Sequence, residues 1–227
     1  MPCRIMAIMQ SGDGVYSTFC EPCGLKELTR IKSPYLWRTD KGKGSLSIDG
    51  NALIIPVALP EALERLRLEG DPSARQLPAH VTVHFPFADE PKTKIVTPEL
   101  KKLVGRIETF RIQFDCLDHF DMPDEVIYYL KVSSTPQLVT LFHTIWNKFR
   151  AYPPYEGKHQ TIVPHITLAR YARPVSEEKV ARLLEAVEQH RNELHWEISE
   201  VEWVNVQPGV PGCRILGSFP LKRKAIR

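Results

Sequence analysis

The pattern of hydrophobic and polar positions becomes regular after residue 50, and from there it predicts a succession of strands and helices. Residues 52–59 are almost wholly apolar and of strand length, which indicates a buried strand. Pro60 follows as the first residue of a helix that runs to about Leu68. Residues 79–87 alternate polar and apolar side chains, as in a strand with one face toward a cleft. The first half also contains a predicted helix over 97–104, with Pro98 at its first turn, and predicted strands over 110–117 and 126–132.

The second half repeats this plan. A helix over 135–149 carries apolar residues at helical spacing, and a strand over 164–170 and a helix over 176–190 capped by Ser176 follow it. Two terminal strands over 194–206 and 214–221 complete the chain. Because each half places strands and a helix around one His-x-Thr strand, the pattern indicates an internal duplication. The predicted fold class is α+β, with two lobes whose mainly antiparallel sheets face a central cleft and whose helices lie outside.

Residues 1–50 differ from the rest and predict an N-terminal extension of unknown role, ahead of one domain over 51–227. Glycines and a lack of sustained periodicity indicate mostly loops. Cys20 and Cys23 form a C-x-x-C pair with Cys3 nearby, which leaves a small zinc site as an alternative. No second pair follows, so we favour free thiols over a four-ligand zinc site.

Composition narrows the class of protein without naming a function. The 227 residues are 43% hydrophobic and 25% charged, as in soluble globular proteins, and 30 basic against 27 acidic residues give a net charge of +3. That small excess permits an anionic ligand but does not indicate nucleic acid. No apolar run reaches the length of about 18 residues expected of a membrane helix, and five cysteines suit reduced thiols better than a disulfide framework. We expect a cytoplasmic monomer that does not bind membranes.

Two His-x-Thr triplets are the strongest chemical signal in the sequence. Side chains at i and i+2 share one face of a strand, so His80 lies beside Thr82, and His165 lies beside Thr167. If the two strands face each other, the cleft holds two imidazoles for proton transfer and two hydroxyls that can donate to phosphate oxygens. This set is sufficient for cleavage of a phosphodiester without a metal ion.

The sequence around both triplets resembles that of a known family. Residues 77–87 read Leu-Pro-Ala-His-Val-Thr-Val-His-Phe-Pro-Phe, and residues 164–170 read Pro-His-Ile-Thr-Leu-Ala-Arg. Both are similar to the paired motifs of the 2H phosphoesterase superfamily, especially its 2'-5' RNA ligase-like branch. The resemblance extends from about Asn51 to the C-terminus and leaves residues 1–50 unmatched.

The resemblance implies a role for each matching residue. His80 is expected to protonate the leaving ribose oxygen and His165 to activate the attacking water, while Thr82 and Thr167 hold the phosphate. Arg170 matches an arginine common in this branch, and its charge suits a phosphate, although its strand parity differs from that of His165. By the same parity rule His84 shares the face of His80, so it is a candidate substrate-binding residue. No metal and no cofactor are implied.

Two hypotheses about function follow. The first is a cyclic phosphodiesterase that opens a 2',3'-cyclic phosphate or cuts a related 2'-linked or cyclic nucleotide bond, with joining of RNA ends as the reverse reaction. Its partner is then a nucleotide, a cyclic oligonucleotide or an RNA end as substrate. The alternative is a module that binds a nucleotide or RNA end in the same cleft without turnover. Two intact His-x-Thr triplets favour the enzyme.

Overall fold

The structure is a computed structural model, and it divides into two compact units, Met1–Lys32 and Ser33–Arg227. In the first unit the structure describes one pair of short antiparallel strands, β1 (Met9–Gln10) and β2 (Tyr16–Ser17). In the second unit it describes residues 49–88, 92–157 and 163–224. The elements and the candidate site discussed below all belong to this second unit.

The described part of the second unit contains four α-helices and eight β-strands. The helices are α1 (Glu61–Gly70), α2 (Thr93–Val104), α3 (Pro136–Lys148) and α4 (Glu177–Gln189). The strands are β3 (Gly50–Pro56), β4 (His80–His84), β5 (Phe110–Asp121), β6 (Glu125–Val132), β7 (His165–Ala172), β8 (His195–Ile198), β9 (Glu200–Val206) and β10 (Arg214–Pro220). None of these four helices is both long enough and apolar enough to cross a membrane.

The strands form two antiparallel sheets of four. The first has the order β10-β9-β3-β4, and the second has the order β7-β6-β5-β8. In each sheet a helix connects two antiparallel neighbours, α1 between β3 and β4 and α3 between β6 and β7. The second strand of each connection lies at the edge of its sheet. The predicted α+β architecture with two antiparallel sheets is therefore confirmed, and the repeated strand-helix-strand unit accounts for the repeated pattern in the sequence.

The local sequence explains where α3 begins and ends. Thr135 precedes the helix with extended backbone, and its hydroxyl oxygen accepts a hydrogen bond from the amide of Leu138 at 3.2 Å. This contact satisfies one of the amides that the first turn of a helix leaves without a partner. Leu138, Leu141 and Ile145 are fully buried, so the predicted apolar face is the one that packs on the core.

The predicted start of α2 is wrong by four residues. The helix begins at Thr93, and Pro98 lies inside it instead of in its first turn. Three buried residues, Val96, Leu100 and Val104, recur every four positions. Burial of this stripe extends the helix past the proline, although a proline cannot donate the hydrogen bond expected at that position.

The predicted single strand over 194–206 is two strands in different sheets. β8 pairs with β5, whereas β9 pairs with β3 and β10, and the break between them falls at Ser199. The carbonyl of Ser199 accepts a hydrogen bond from the amide of Leu221 at 2.7 Å. At this point a single residue separates a strand of one sheet from a strand of the other.

A stability prediction follows from the core. Trp203 on β9 is fully buried, and its ring lies edge-on to that of Phe87 with centroids 5.4 Å apart. We expect Trp203→Ala to lower the free energy of unfolding by about 3–5 kcal/mol, as for large-to-small changes in other cores. Urea denaturation followed by circular dichroism measures it. The control is Ile215→Ala at a side chain 56% exposed, which should cost less than about 0.5 kcal/mol; equal effects would contradict this view of the core.

Candidate active site

The two His-x-Thr triplets lie together in the structure. β4 and β7 are edge strands of different sheets, and their Cα atoms approach within 8 Å of each other. His80, Thr82, His165 and Thr167 all line one cavity between these strands. The structure therefore brings together the four residues that the sequence predicted as a catalytic set.

A β-bulge follows the triplet in each of these strands. In β4, Thr82 lies opposite Ile54 and His84 opposite Leu53, so Val83 is the extra residue. In β7, Thr167 lies opposite Tyr129 and Ala169 opposite Tyr128, so Leu168 is the extra residue, at the same offset from its histidine. A bulge of this kind changes which face the following side chains occupy.

The two bulges decide which later residues reach the cavity. His84 turns away from it and is fully buried, with its ring edge-on to Phe87 at 5.0 Å. Phe85 and Arg170, each five positions beyond its histidine, line the cavity instead. The structure thus brings Arg170 to the predicted site, and it does not bring His84 there.

The ring of each cavity histidine is held by the same backbone contact. Nδ1 of His80 lies 2.8 Å from the carbonyl oxygen of Pro78, and Nδ1 of His165 lies 2.7 Å from that of Val163. A carbonyl oxygen only accepts hydrogen bonds, so Nδ1 carries the hydrogen in both rings. In the neutral ring the lone pair is then on Nε2, which is the nitrogen that can exchange a proton with a ligand.

Burial disfavours the charged form of both imidazoles. It lowers the pKa of His80 to about 4, with smaller contributions from the positive charges of Arg67 and His165, against the raising effect of the Pro78 carbonyl and the Asp71 carboxylate. Burial also lowers the pKa of His165 below its usual range, and Arg170 adds to this effect. The resting site is thus a pair of neutral bases, and an anion bound beside them would favour protonation.

Charged side chains that contact one another line part of the cavity. The Arg170 guanidinium lies between two carboxylates, with Nη1 2.9 Å from Glu125 and Nε 3.4 Å from Asp71. The Arg67 guanidinium contacts Glu64 at 2.8 Å and donates to the carbonyl of Leu77. Arg67, Asp71 and Arg170 line the cavity, so its wall contains two cations whose charges are partly balanced.

Aromatic side chains also line the cavity. Phe85, Phe120 and Tyr155 line the cavity, and the Phe120 ring lies edge-on to the His165 ring at 5.1 Å. The amide of Tyr155 donates to the carbonyl of Phe85 at 2.6 Å, so a backbone hydrogen bond connects two of these aromatic residues. Such an apolar surface beside cations suits a ligand that has both a flat ring and a negative charge.

Sequence reasoning missed several of these cavity residues. Arg67 carried a usable signal, because it lies four positions after Leu63 on the apolar face of α1, where a charged residue is unusual. Phe85 also carried one, since it occupies the position that Arg170 has in the other half. Asp71, Phe120 and Tyr155 had no such signal, because only the folded chain brings them to the cavity.

No group of three or more His, Cys, Asp or Glu side chains in the described part of the chain could hold a metal ion. The zinc alternative at Cys3, Cys20 and Cys23 lies outside the described residues.

Comparison with known proteins places this geometry in a family. A family model described as the 2'-5' RNA ligase superfamily matches residues 55–208, which include both His-x-Thr strands. The solved structure of TT0787 from Thermus thermophilus is 17% identical with a TM-score of 0.51, over 77% of this chain and 99% of that one. LigT from E. coli in its apo form is 15% identical with a TM-score of 0.50, over 78% and 99%. At these identities the structures show a shared fold. No curated protein matches the sequence.

The state of the resting histidines is directly measurable. We expect NMR titration to give a pKa of about 4 for His80 and a value below 6.5 for His165, because burial disfavours both imidazolium forms. The spectra should also show hydrogen on Nδ1 in both neutral rings. The control is the urea-unfolded protein, in which both should titrate near 6.5. A folded-state pKa of 6.5 or more for His80 would show that its ring is solvated.

Proposed function

Because the chain belongs to the 2'-5' RNA ligase superfamily, we propose that it is a metal-independent phosphodiesterase that hydrolyses a 2',3'-cyclic phosphate or a related 2'-linked or cyclic nucleotide. The family supports a phosphodiesterase-type function. The observation that carries the finer proposal is the pair of His-x-Thr triplets that line one cavity. Each supplies an imidazole and a hydroxyl, so the cavity has duplicate groups for two proton transfers at one phosphate.

The proposed reaction uses the two histidines in opposite directions. His165 accepts a proton at Nε2 from water, whose oxygen forms a new bond to phosphorus. His80 donates a proton from Nε2 to the ribose oxygen as its bond to phosphorus breaks. The carbonyls of Val163 and Pro78 keep hydrogen on Nδ1 throughout, so only Nε2 changes its protonation state.

The remaining cavity residues suit the negative charge of the phosphate. Thr82 and Thr167 donate hydrogen bonds to its non-bridging oxygens, and the Arg170 guanidinium stabilises the charge that develops in the transition state. These groups act without a Lewis acid, so the proposal assigns no step to a metal ion. His84 receives no contact with substrate, because it is buried away from the cavity.

The aromatic wall supports a nucleoside as the rest of the substrate. Phe85, Phe120 and Tyr155 offer apolar ring surfaces, on which a base can stack for about 1–3 kcal/mol. An RNA end or a cyclic oligonucleotide presents such a base beside its phosphate. We therefore propose a nucleotide or RNA end as the ligand class.

Loss of either histidine should stop the reaction. We expect His80→Ala and His165→Ala each to lower kcat on adenosine 2',3'-cyclic phosphate by about 10²-fold or more, since each removes one proton carrier. The double variant should be little worse than either single one, because the two groups act as a unit. Product analysis by mass spectrometry, repeated on a panel of 2'-linked and cyclic oligonucleotides, measures turnover.

The matched control is His143→Ala, at an exposed position on α3 outside the cavity. It should keep wild-type activity. All assays contain EDTA, so loss of wild-type turnover on chelation with recovery on a divalent ion would contradict metal independence. Native folding with ligand binding but no turnover by the wild type would favour the binding module.

The pH dependence should reflect the lowered histidine pKa values. The rate falls at low pH as His165 becomes protonated, and it falls at high pH as His80 loses its proton. Because burial lowers the pKa of both groups, we expect the maximum of kcat/KM below pH 6.5, with apparent values that belong to the pair. Bound phosphate favours the imidazolium forms, so the maximum of kcat should lie at higher pH. A maximum of kcat/KM above pH 7 would rule out these resting states.

A further inference from the structure

One buried carboxylate joins the two halves of the cavity. Asp71 follows α1 and is 2% exposed. Its Oδ1 accepts hydrogen bonds from the amide of Ser73 at 3.0 Å and from the Ser73 hydroxyl at 2.8 Å. The same oxygen lies 3.4 Å from Nε of Arg170 on β7. A single side chain thus contacts the segment that leads to His80 and the cation that follows His165.

The segment between Asp71 and His80 is fixed at several points. Asp71 caps a turn of 3-10 helix, Pro72–Arg75, in which Ser73 is its partner. The Arg67 guanidinium donates to the carbonyl of Leu77, and the next carbonyl, that of Pro78, accepts from the His80 ring. Displacement of Asp71 would therefore be transmitted along a short, hydrogen-bonded segment to the imidazole.

Arg170 depends on carboxylates from two different elements. Glu125 at the start of β6 accepts a hydrogen bond from Nη1, and a carboxylate oxygen of Asp71 forms an ion pair 3.4 Å from Nε, with the Arg170 side chain only 11% exposed. A buried cation held on one side only would have more rotamers available and would lose a charge-assisted contact. Asp71 contacts both Ser73, in the segment before His80, and Arg170, whereas the contact of Glu125 is with Arg170.

We propose that Asp71 is a positioning residue for the reaction: its carboxylate orients Arg170 toward the phosphate and holds the segment that sets His80. The inference rests on the proposed function and deepens it. Asp71 itself does not touch the reacting atoms in this proposal. Its effect reaches them through Arg170 on one side of the cavity and through the Ser73 turn on the other.

The test is a mutant cycle of Asp71→Asn and Arg170→Ala. Asparagine keeps the size of the side chain and can still accept from Ser73, but it lacks the charge that holds Arg170. We expect Asp71→Asn to lower kcat on adenosine 2',3'-cyclic phosphate by about 10-fold or more with a smaller change in KM. In the Arg170→Ala background, Asp71→Asn should lower kcat by no more than about a further 2-fold, because the side chain that it mainly orients is absent.

A second readout separates positioning from a general loss of structure. The charged groups that act on His80 are Arg67 from α1, His165 from β7 and Asp71, and of these only Asp71 raises its pKa. Asp71→Asn should therefore lower the pKa of His80 further in an NMR titration. Glu125→Gln also releases Arg170 but should leave that pKa in place.

The matched control is Glu69→Gln, which removes one charge two residues away at a half-exposed ion pair with Arg182. It should stay within about 2-fold of wild type. If Asp71→Asn does not fold, Ser73→Ala takes its place, and its smaller loss should persist in the Arg170→Ala background because it acts through the segment before His80. The inference is overturned if the folded variant keeps kcat within about 2-fold of wild type, or if the loss of Asp71→Asn and that of Arg170→Ala multiply in full.

Failure of the proposed function would be visible separately, as a wild-type protein that hydrolyses none of the cyclic phosphates. The same cycle is then measured on binding of inorganic phosphate, followed by NMR shifts of the two cavity histidines. Weaker binding by Asp71→Asn that disappears in the Arg170→Ala background supports the positioning role. Equal binding by wild type and Asp71→Asn overturns it.

Discussion

The meeting of two edge strands is the constraint on which the rest of the site depends. β4 and β7 belong to different sheets, and no hydrogen-bonded strand lies between them in the described part of the chain, so the space along their shared side becomes the cavity. Each strand is connected to its neighbour through a helix, which places equivalent side chains on equivalent positions. The single-residue passage at Ser199 then ties the second sheet to the first. The positions of the two histidines and two threonines in the cavity thus depend on how the two sheets are arranged.

Burial gives these ordinary side chains their unusual chemistry. An imidazole in water is half protonated near pH 6.5, but burial in the cavity lowers the pKa of both His80 and His165. The guanidinium groups of Arg67 and Arg170 beside them contact the carboxylates of Glu64, Asp71 and Glu125. Two guanidinium groups thus lie in the wall of the same cavity as two rings whose charged form is disfavoured by burial.

Sequence periodicity predicted the four helices and most of the strands, because these follow from local alternation, while the resemblance to a family with paired motifs indicated that His80 and His165 act together. Local sequence rules failed where the position of a side chain depends on strand pairing or on a contact with a distant residue. The parity rule placed His84 with His80, yet one extra residue in the ladder reversed its face. It left Arg170 undecided, and the matching bulge in β7 brings it to the cavity. The sequence could not predict that Asp71 lies at the cavity for a related reason, since Asp71 contacts a residue far along the chain, Arg170.

The two bulges also bear on how a duplicated pocket handles a ligand that has no symmetry. Five positions beyond each histidine the chain offers one equivalent place at the cavity wall, occupied by Phe85 in one lobe and by Arg170 in the other. Two opposite orientations are open to an anion that carries a ring. An apolar ring at one place and a guanidinium at the other give these orientations different surroundings, so this pair of unlike residues contributes a direction to the duplicated scaffold.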